Sequence, residues 1–301
     1  MEILFAIFVR VILPVFVIVA VGYVAGRLME FDQRTLSRLG LYVLVPCMTF
    51  AAMARTTLSL IELGQIIAFY LIATFLLYIP SRIAARLLKL SPTQASAFHI
   101  AVLFANVVNV GFPVLLLAYG PAAVERALVF AIMMQIVLQS FGVFLAARGK
   151  ANFSESMRRV WAMPGLWAML AGFVLNFARV EIPAFIFDPI KMVGDALVPF
   201  LLILLGLQLT RASFRGNLTI ASVATGLRLV GGAVIGIALA DALGLQTITR
   251  QTVVIESGMP SAIFGVALAH EFDTAPELIT VIISLSTLAS MFTLTVLLAM
   301  V

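Results

Sequence analysis

Two short stretches carry the residue types best suited to chemistry in this chain. Asn109-Val110-Gly111-Phe112-Pro113 and Glu256-Ser257-Gly258-Met259-Pro260 both end in Gly-x-Pro, and from Gly111 to Gly258 is 147 residues in a chain of 301. One copy therefore falls in each half, and each lies inside a long apolar run. A proline in a helix interior removes a backbone hydrogen bond and clashes with the carbonyl four residues back, and a neighbouring glycine eases unwinding. Irregular backbone at membrane depth is tolerated only where it is buried in protein or lines a cavity, so a matched pair of interrupted spans points to a transporter's binding site. Breaks are expected between Asn109 and Pro113 and between Glu256 and Pro260, with each proline opening a second half-helix. The free N–H groups and positive dipole ends of those half-helices would form an anion site without Lys or Arg. Asn106 and Asn109 offer amide donors to a carboxylate and Ser257 and Ser261 offer hydroxyls, while Gly111, Pro113, Gly258 and Pro260 shape the gap. The competing assignment has these polar groups only satisfying backbone orphaned by the breaks.

Glu256 stands where the first half of its span ends, at a negative dipole end that disfavours a lone carboxylate. It is expected either to couple an ion, H⁺ or Na⁺, to substrate or to partner a buried arginine. That arginine would be Arg228, about eleven residues into its span and so near mid-depth at about 1.5 Å per residue. An unpaired charge there costs about 2.5–3.5 kcal/mol on insertion scales. Arg228 should pair with Glu256 or Asp195, act as counter-charge for the anion, or snorkel to the surface if its span starts later. Asp195 itself lies close enough to a span end for interfacial hydration. His99 and His270 sit at span ends, where surface or interfacial roles are expected. The single cysteine, Cys47, excludes an internal disulfide and any CxxC metal or redox site, and no cofactor or metal site is read.

The elements that must position these residues are membrane spans. The chain is 63% hydrophobic and 11% charged, with a mean hydropathy of +1.15, outside the range of soluble domains. Runs of about 20 apolar residues number ten: roughly 4–26, 36–53, 60–87, 95–119, 122–147, 160–178, 185–209, 218–243, 246–269 and 275–300. The first is too long for a signal-peptide core and is kept as a span. Basic residues are scattered through loops, which argues against nucleic acid despite a pI near 9.8. Twelve of them (Arg27, Arg34, Arg38, Arg82, Arg86, Lys89, Arg148, Lys150, Arg158, Arg159, Arg211 and Arg215) fall on one side and five (Arg55, Arg126, Arg179, Lys191 and Arg250) on the other. Lys and Arg collect on the cytoplasmic side, so both termini are expected outside the cell, in a multi-pass inner-membrane protein.

The halves echo each other. Pro14 with Gly22 matches Pro164 with Gly172, and Leu44-Val45-Pro46 matches Leu197-Val198-Pro199, at offsets of 150 and 153 residues. The expected organisation is a five-helix repeat over 1–147, a cytoplasmic linker over 148–159 and a second five-helix repeat over 160–301. Five is odd, so the second copy enters the membrane inverted, and broken helices 4 and 9 cross at the midplane. The fold class is an all-α polytopic membrane protein of ten transmembrane helices in two inverted five-helix repeats.

The order of ten spans, the run Asn106-Val107-Val108-Asn109-Val110-Gly111-Phe112-Pro113 and Gly258-Met259-Pro260 resemble the auxin efflux carrier family. Leu205-Gly206-Leu207 and Ala269-His270-Glu271-Phe272-Asp273 are also similar to it. That family includes the plant PIN carriers and bacterial permeases annotated for malonate or malate. Plant members have a long loop between halves; here only Arg148–Arg159 stands in its place, as in a compact prokaryotic member. The resemblance implies a crossover-helix fold, transport of an organic anion and a homodimer, and it aligns Asn106 with the family's carboxylate-contacting asparagine.

The expected function is secondary transport of a small organic anion, a mono- or dicarboxylate, by alternating access and coupled to H⁺ or Na⁺. The alternative is a membrane-embedded ligand sensor or a channel without coupled turnover. An enzyme is not expected: no G-x-x-x-x-G-K-[ST], HExxH or G-x-S-x-G run occurs. Partners are the carboxylate substrate and the lipid bilayer, with no nucleic acid.

Overall fold

The computed structural model describes residues 2–147, 153–210, 212, 214 and 216–301. Arg148, Lys150, Arg211 and Arg215 of the charge count, and the first part of the 148–159 linker, lie outside them. The described residues form helices α1 (Glu2–Leu28), α2 (Gln33–Ala54), α3 (Leu60–Leu87), α4 (Pro92–Leu103), α5 (Val107–Tyr119), α6 (Pro121–Ala146), α7 (Phe153–Trp161), α8 (Pro164–Phe177), α9 (Ala184–Leu209), α10 (Leu218–Ala242), α11 (Thr247–Ser257), α12 (Phe264–Glu271) and α13 (Pro276–Met300). Seven of these, α1, α2, α3, α6, α9, α10 and α13, are long and apolar enough to cross a membrane; α5 and α8 are shorter apolar helices.

Local sequence accounts for where these helices begin. Ser59 with Glu62 and Ser91 with Gln94 form reciprocal capping boxes at α3 and α4. Asp32 and Asn217 cap α2 and α10 through their side-chain oxygens. Each cap satisfies an N–H that the first turn leaves without a partner. Pro92, Pro121, Pro164 and Pro276 sit in first turns, where a missing N–H costs nothing.

Pro14, Pro46 and Pro113 do something different. A π turn precedes each of them closely: Phe8–Ile12 in α1, Gly40–Leu44 in α2 and Val107–Gly111 in α5. The extra residue in a π turn shifts the carbonyl register ahead of the proline ring, so the helix absorbs the clash and continues. Pro113 accordingly breaks nothing and opens nothing, contrary to the expectation above. The interruption lies upstream, at Phe104–Asn106, between the end of α4 and the start of α5. Pro260 likewise stands inside a break that runs from Gly258 to Ile263, and α12 resumes only at Phe264.

The helices pack as two groups. In the first, α1 lies along α9 and α8 along α2, with α9 also meeting α2. Close approach requires glycine here: a Cβ on Gly22 would strike the backbone of Ile203, and one on Gly172 would strike the carbonyl of Phe50. The second group joins α3, α4, α6, α10, α11 and α13, with α5 and α12 at its edge toward α9 and α4. Every residue of α4 from Ser96 to Leu103 is buried. His99 is therefore an interior residue, 8% exposed, with Ser81 Oγ 2.7 Å from its Nδ1. The expected interfacial histidine is absent because its helix is enclosed on all sides. His270 is exposed at the end of α12.

Candidate functional site: the paired helix breaks

The two interruptions meet and satisfy each other. Ala105 and Ser261 form an antiparallel bridge, in which the Asn106 N–H donates to the Pro260 carbonyl at 2.6 Å and the Ala262 N–H donates to the Phe104 carbonyl at 2.9 Å. Broken backbone buried among apolar side chains must find partners, and each break supplies those the other lacks. The Ser261 N–H is taken by Ser286 Oγ of α13 at 3.1 Å.

On one side of this junction stand the C-terminal ends of α4 and α11. Arg228, 3% exposed and set in a π turn of α10 over Leu227–Gly231, reaches them both. Its Nη1 donates to the carbonyls of Val102 at 2.8 Å and Leu103 at 3.2 Å, and its Nη2 donates to the carbonyl of Ser257. A cation at two helix C-termini meets both the orphaned carbonyls and the negative dipole ends. Arg228 pairs with neither carboxylate considered for it. Asp195 is exposed at the surface and pairs with Lys191 at 2.5 Å.

Glu256 is fully buried, and neither of its carboxylate oxygens has a hydrogen-bond partner. It lies over Gly111, where any side chain would collide with the carboxyl group. Gly111 thus owes its identity to Glu256 rather than to a turn. A chamber of about 20 Å³ beside it is lined by Tyr70, Leu103, Ala105, Arg228 and Ser257, room for one water.

On the other side stand the N-terminal ends of α5 and α12. They reach a cavity of about 680 Å³ that separates α2 and α9 from α5, α6, α12 and α13. Its mouth carries the exposed Arg34 and His270; its walls are largely apolar and it extends to Asn109. Val108, Asn109 and Phe112 come from the first turns of α5, and Ile263 and Phe264 from the start of α12. Thr49 and Thr287 also line it, each fully buried with an unpartnered Oγ1, as does Gln208, whose Oε1 is unpartnered.

Of the eight substrate-site residues read from sequence, Asn109 lines this cavity and the others do not. Asn106 is 5% exposed with its Nδ2 unpartnered, and Ser261 is fully buried with its Oγ unpartnered. Ser257 Oγ donates to the Val253 carbonyl at 2.7 Å. Gly258 faces the side chain of Leu297, Pro260 serves through its carbonyl, and Gly111 and Pro113 are buried in α5. Sequence reading passed over Thr49, Gln208 and Thr287. A signal existed for the last: Thr280, Ser284 and Thr287, spaced i, i+4 and i+7 along a largely apolar helix, all line the cavity. It also treated Arg126 as a loop charge. Arg126 is 7% exposed, with Nη2 on Glu62 Oε1 at 2.8 Å and Nε on Thr249 Oγ1 at 2.8 Å, tying α6 to α3 and α11.

Helices able to cross a membrane, with a cavity beside paired helix breaks, define a polytopic membrane protein. The profile of the membrane transport protein family matches residues 7–161 and 151–298, and the chain belongs to this family, to which the auxin efflux carriers also belong. It is 29% identical over 288 residues to an uncharacterized transporter of Methanothermobacter thermautotrophicus, covering 94% of this chain and 95% of the relative. It is 22% identical over 297 residues to an uncharacterized transporter of Methanocaldococcus jannaschii, covering 93% and 94%. The protein is a multi-pass membrane transport protein, and its family and relatives carry the names of transporters rather than enzymes.

Proposed function

We propose that this chain is a secondary carrier that moves a small organic anion, a mono- or dicarboxylate, by alternating access across the cell membrane. The observation that carries the reading is the polarity of the junction: the positive N-terminal ends of α5 and α12 face the 680 Å³ cavity, whereas the negative C-terminal ends of α4 and α11 face Arg228. A carboxylate would bind where N–H groups and the Asn109 amide converge, with its apolar body against the cavity walls. Asn106, Ser257 and Ser261 would be exposed to it as the bridge between the breaks opens during the cycle, and Glu256 would couple the movement to an ion.

On this reading α4 with α5 and α11 with α12 each make one broken crossing, giving ten crossings in two inverted repeats joined near residues 148–159. The packing of the glycines supports it. Gly22 against Ile203 and Gly172 against Phe50 are one contact repeated, since 172 follows 22 by 150 and 203 follows 50 by 153, the offsets of the sequence echoes. The group of α1, α2, α8 and α9 would then rock against the rest, with the cavity between them.

The test is uptake of radiolabelled malate, malonate and an aromatic acid into proteoliposomes. A carrier shows saturable uptake that unlabelled acid on the far side accelerates. A hydrogen bond to a charged group contributes about 1.5–3 kcal/mol, so Asn109→Ala should weaken apparent affinity about 10- to 150-fold. Flux without saturation or counterflow would make the protein a channel, and binding without flux a sensor.

A further inference from the structure

The carbonyls of Val102, Leu103 and Ser257 converge at two helix C-termini, buried inside the protein. Unwound carbonyls and half-helix C-terminal ends are the ligands with which membrane carriers hold a metal cation such as Na⁺. Here all three accept hydrogen bonds from one guanidinium. Arg228 is part of the chain and cannot leave, so the place of an exchangeable cation is permanently filled. Beside it, Glu256 has two unpartnered oxygens, and Arg228 Nε is unpartnered as well. The chamber between them, about 20 Å³, accepts a single water but no hydrated ion. Tyr70 from α3 and Arg228 from α10 are the other ionisable side chains on its wall; α5 presents Gly111 to the carboxyl and α6 presents Phe130 to the chamber. Glu62 and Arg126 on α3 and α6 are engaged with each other elsewhere. A carboxylate left ionised without a partner here would bear its full desolvation cost, whereas the neutral acid would not.

We infer that Arg228 is a built-in substitute for a coupling metal cation, and that the cation this protein exchanges with solution is a proton on Glu256 and not Na⁺. The proton arrives from water through the chamber onto a carboxylate oxygen and returns to water when the breaks reopen, with no other bond made or broken. The word coupling rests on the carrier reading; the occupancy of the site does not.

The test therefore begins without substrate. The thermal midpoint of the purified full chain should be the same in sodium chloride and in choline chloride of equal ionic strength; a midpoint that climbs and saturates with Na⁺ overturns the inference. Infrared difference spectra near neutral pH should show the C=O stretch of a protonated carboxyl group that disappears in Glu256→Gln. No such band, or one that persists in the variant, overturns it too. Arg228→Ala empties the cage, so its lowered midpoint should recover with millimolar guanidinium or with Na⁺, neither of which moves the wild type. A folded variant that responds to neither would refute the role given to Arg228; if it does not fold, the wild-type salt comparison and the Glu256 band still decide. In proteoliposomes, malate or malonate uptake should follow a pH gradient and ignore replacement of Na⁺ by choline. Absence of flux with every acid would sink the carrier reading while the salt and infrared results still judged this one.

Discussion

Gly111→Ala is the most direct probe of the junction, because the structure predicts that its effect reverses sign with the residue at position 256. Gly111 has helical dihedrals, φ −63° and ψ −52°, so alanine there should by itself stabilise the helix by about 0.5–1 kcal/mol through the entropy glycine loses on folding. Against this, the added Cβ would lie 2.8 Å from the Glu256 carboxyl carbon and closer still to both oxygens. Overpacking of a buried site costs about 1–3 kcal/mol. The carboxyl borders the small chamber and can shift a little, which places the expected net loss at about 1–2 kcal/mol. With Glu256→Ala the obstacle is gone, and adding Gly111→Ala should raise stability by about 0.5–1 kcal/mol. The interaction energy of the cycle is then about 1.5–3 kcal/mol, well above the about 0.3–0.5 kcal/mol scatter of independent sites. Thermal midpoints of the four proteins, followed by tryptophan fluorescence, measure it. Equal effects of Gly111→Ala in both backgrounds would show that the carboxyl does not rest on that glycine and would remove the physical reason given for it.

Gly22→Val and Gly172→Val should be about equally damaging, each losing 3 kcal/mol or more by the overpacking argument because the obstacle is backbone that cannot turn aside; folding yield and midpoint of the two variants test this, and a tolerated valine at either site would contradict it. Arg126→Ala leaves the Glu62 carboxylate, whose side chain is 29% exposed, without its guanidinium, and should cost about 2–3 kcal/mol, a little under the range for fully buried pairs. The apolar double variant Arg126→Met, Glu62→Leu should recover much of that loss, read from the same midpoints. Asp32 caps α2, and its hydrogen bond from Thr35 holds the carboxyl below its ordinary range. A depressed carboxyl contributes fully above the unfolded value of about 3.9 and loses its contribution as pH falls through the lower folded value. The midpoint difference between wild type and Asp32→Ala should accordingly be constant at neutral pH and shrink only in strong acid.

Sequence patterning carries the long spans directly, because a stretch of about 20 apolar residues has one low-energy home and its backbone must be satisfied within the helix. It also carries the pairing of glycines. Gly22 and Gly172 each follow a proline by eight residues, Pro14 and Pro164, and each admits a neighbouring helix backbone. The second Gly-x-Pro motif lies in its break, whereas the first marked the right neighbourhood and the wrong residues. A proline's clash is local and legible, but whether a helix breaks at it or absorbs it in a π turn depends on what the surrounding helices offer the displaced carbonyls. At Phe104–Asn106 they offer the partner segment around Ser261. Within α5 a π turn suffices.

Tertiary structure alone decided the partners of the buried charges. Arg228 and Glu256 had compatible signs and depths, and a reading by charge pairs them. The fold instead gives the guanidinium to three carbonyls from residues 126, 125 and 29 positions away and leaves the carboxyl unpartnered. Backbone carbonyls are the same at every residue, so nothing in the sequence distinguishes the few that an interior cation will meet. The cavity is hidden for a related reason: Thr49, Asn109, Gln208 and Thr287 are unremarkable singly, and only packing of helices remote in sequence puts them on one wall. Apolar periodicity and proline placement belong to the chain, whereas the partner of a buried charge and the walls of a cavity belong to the fold.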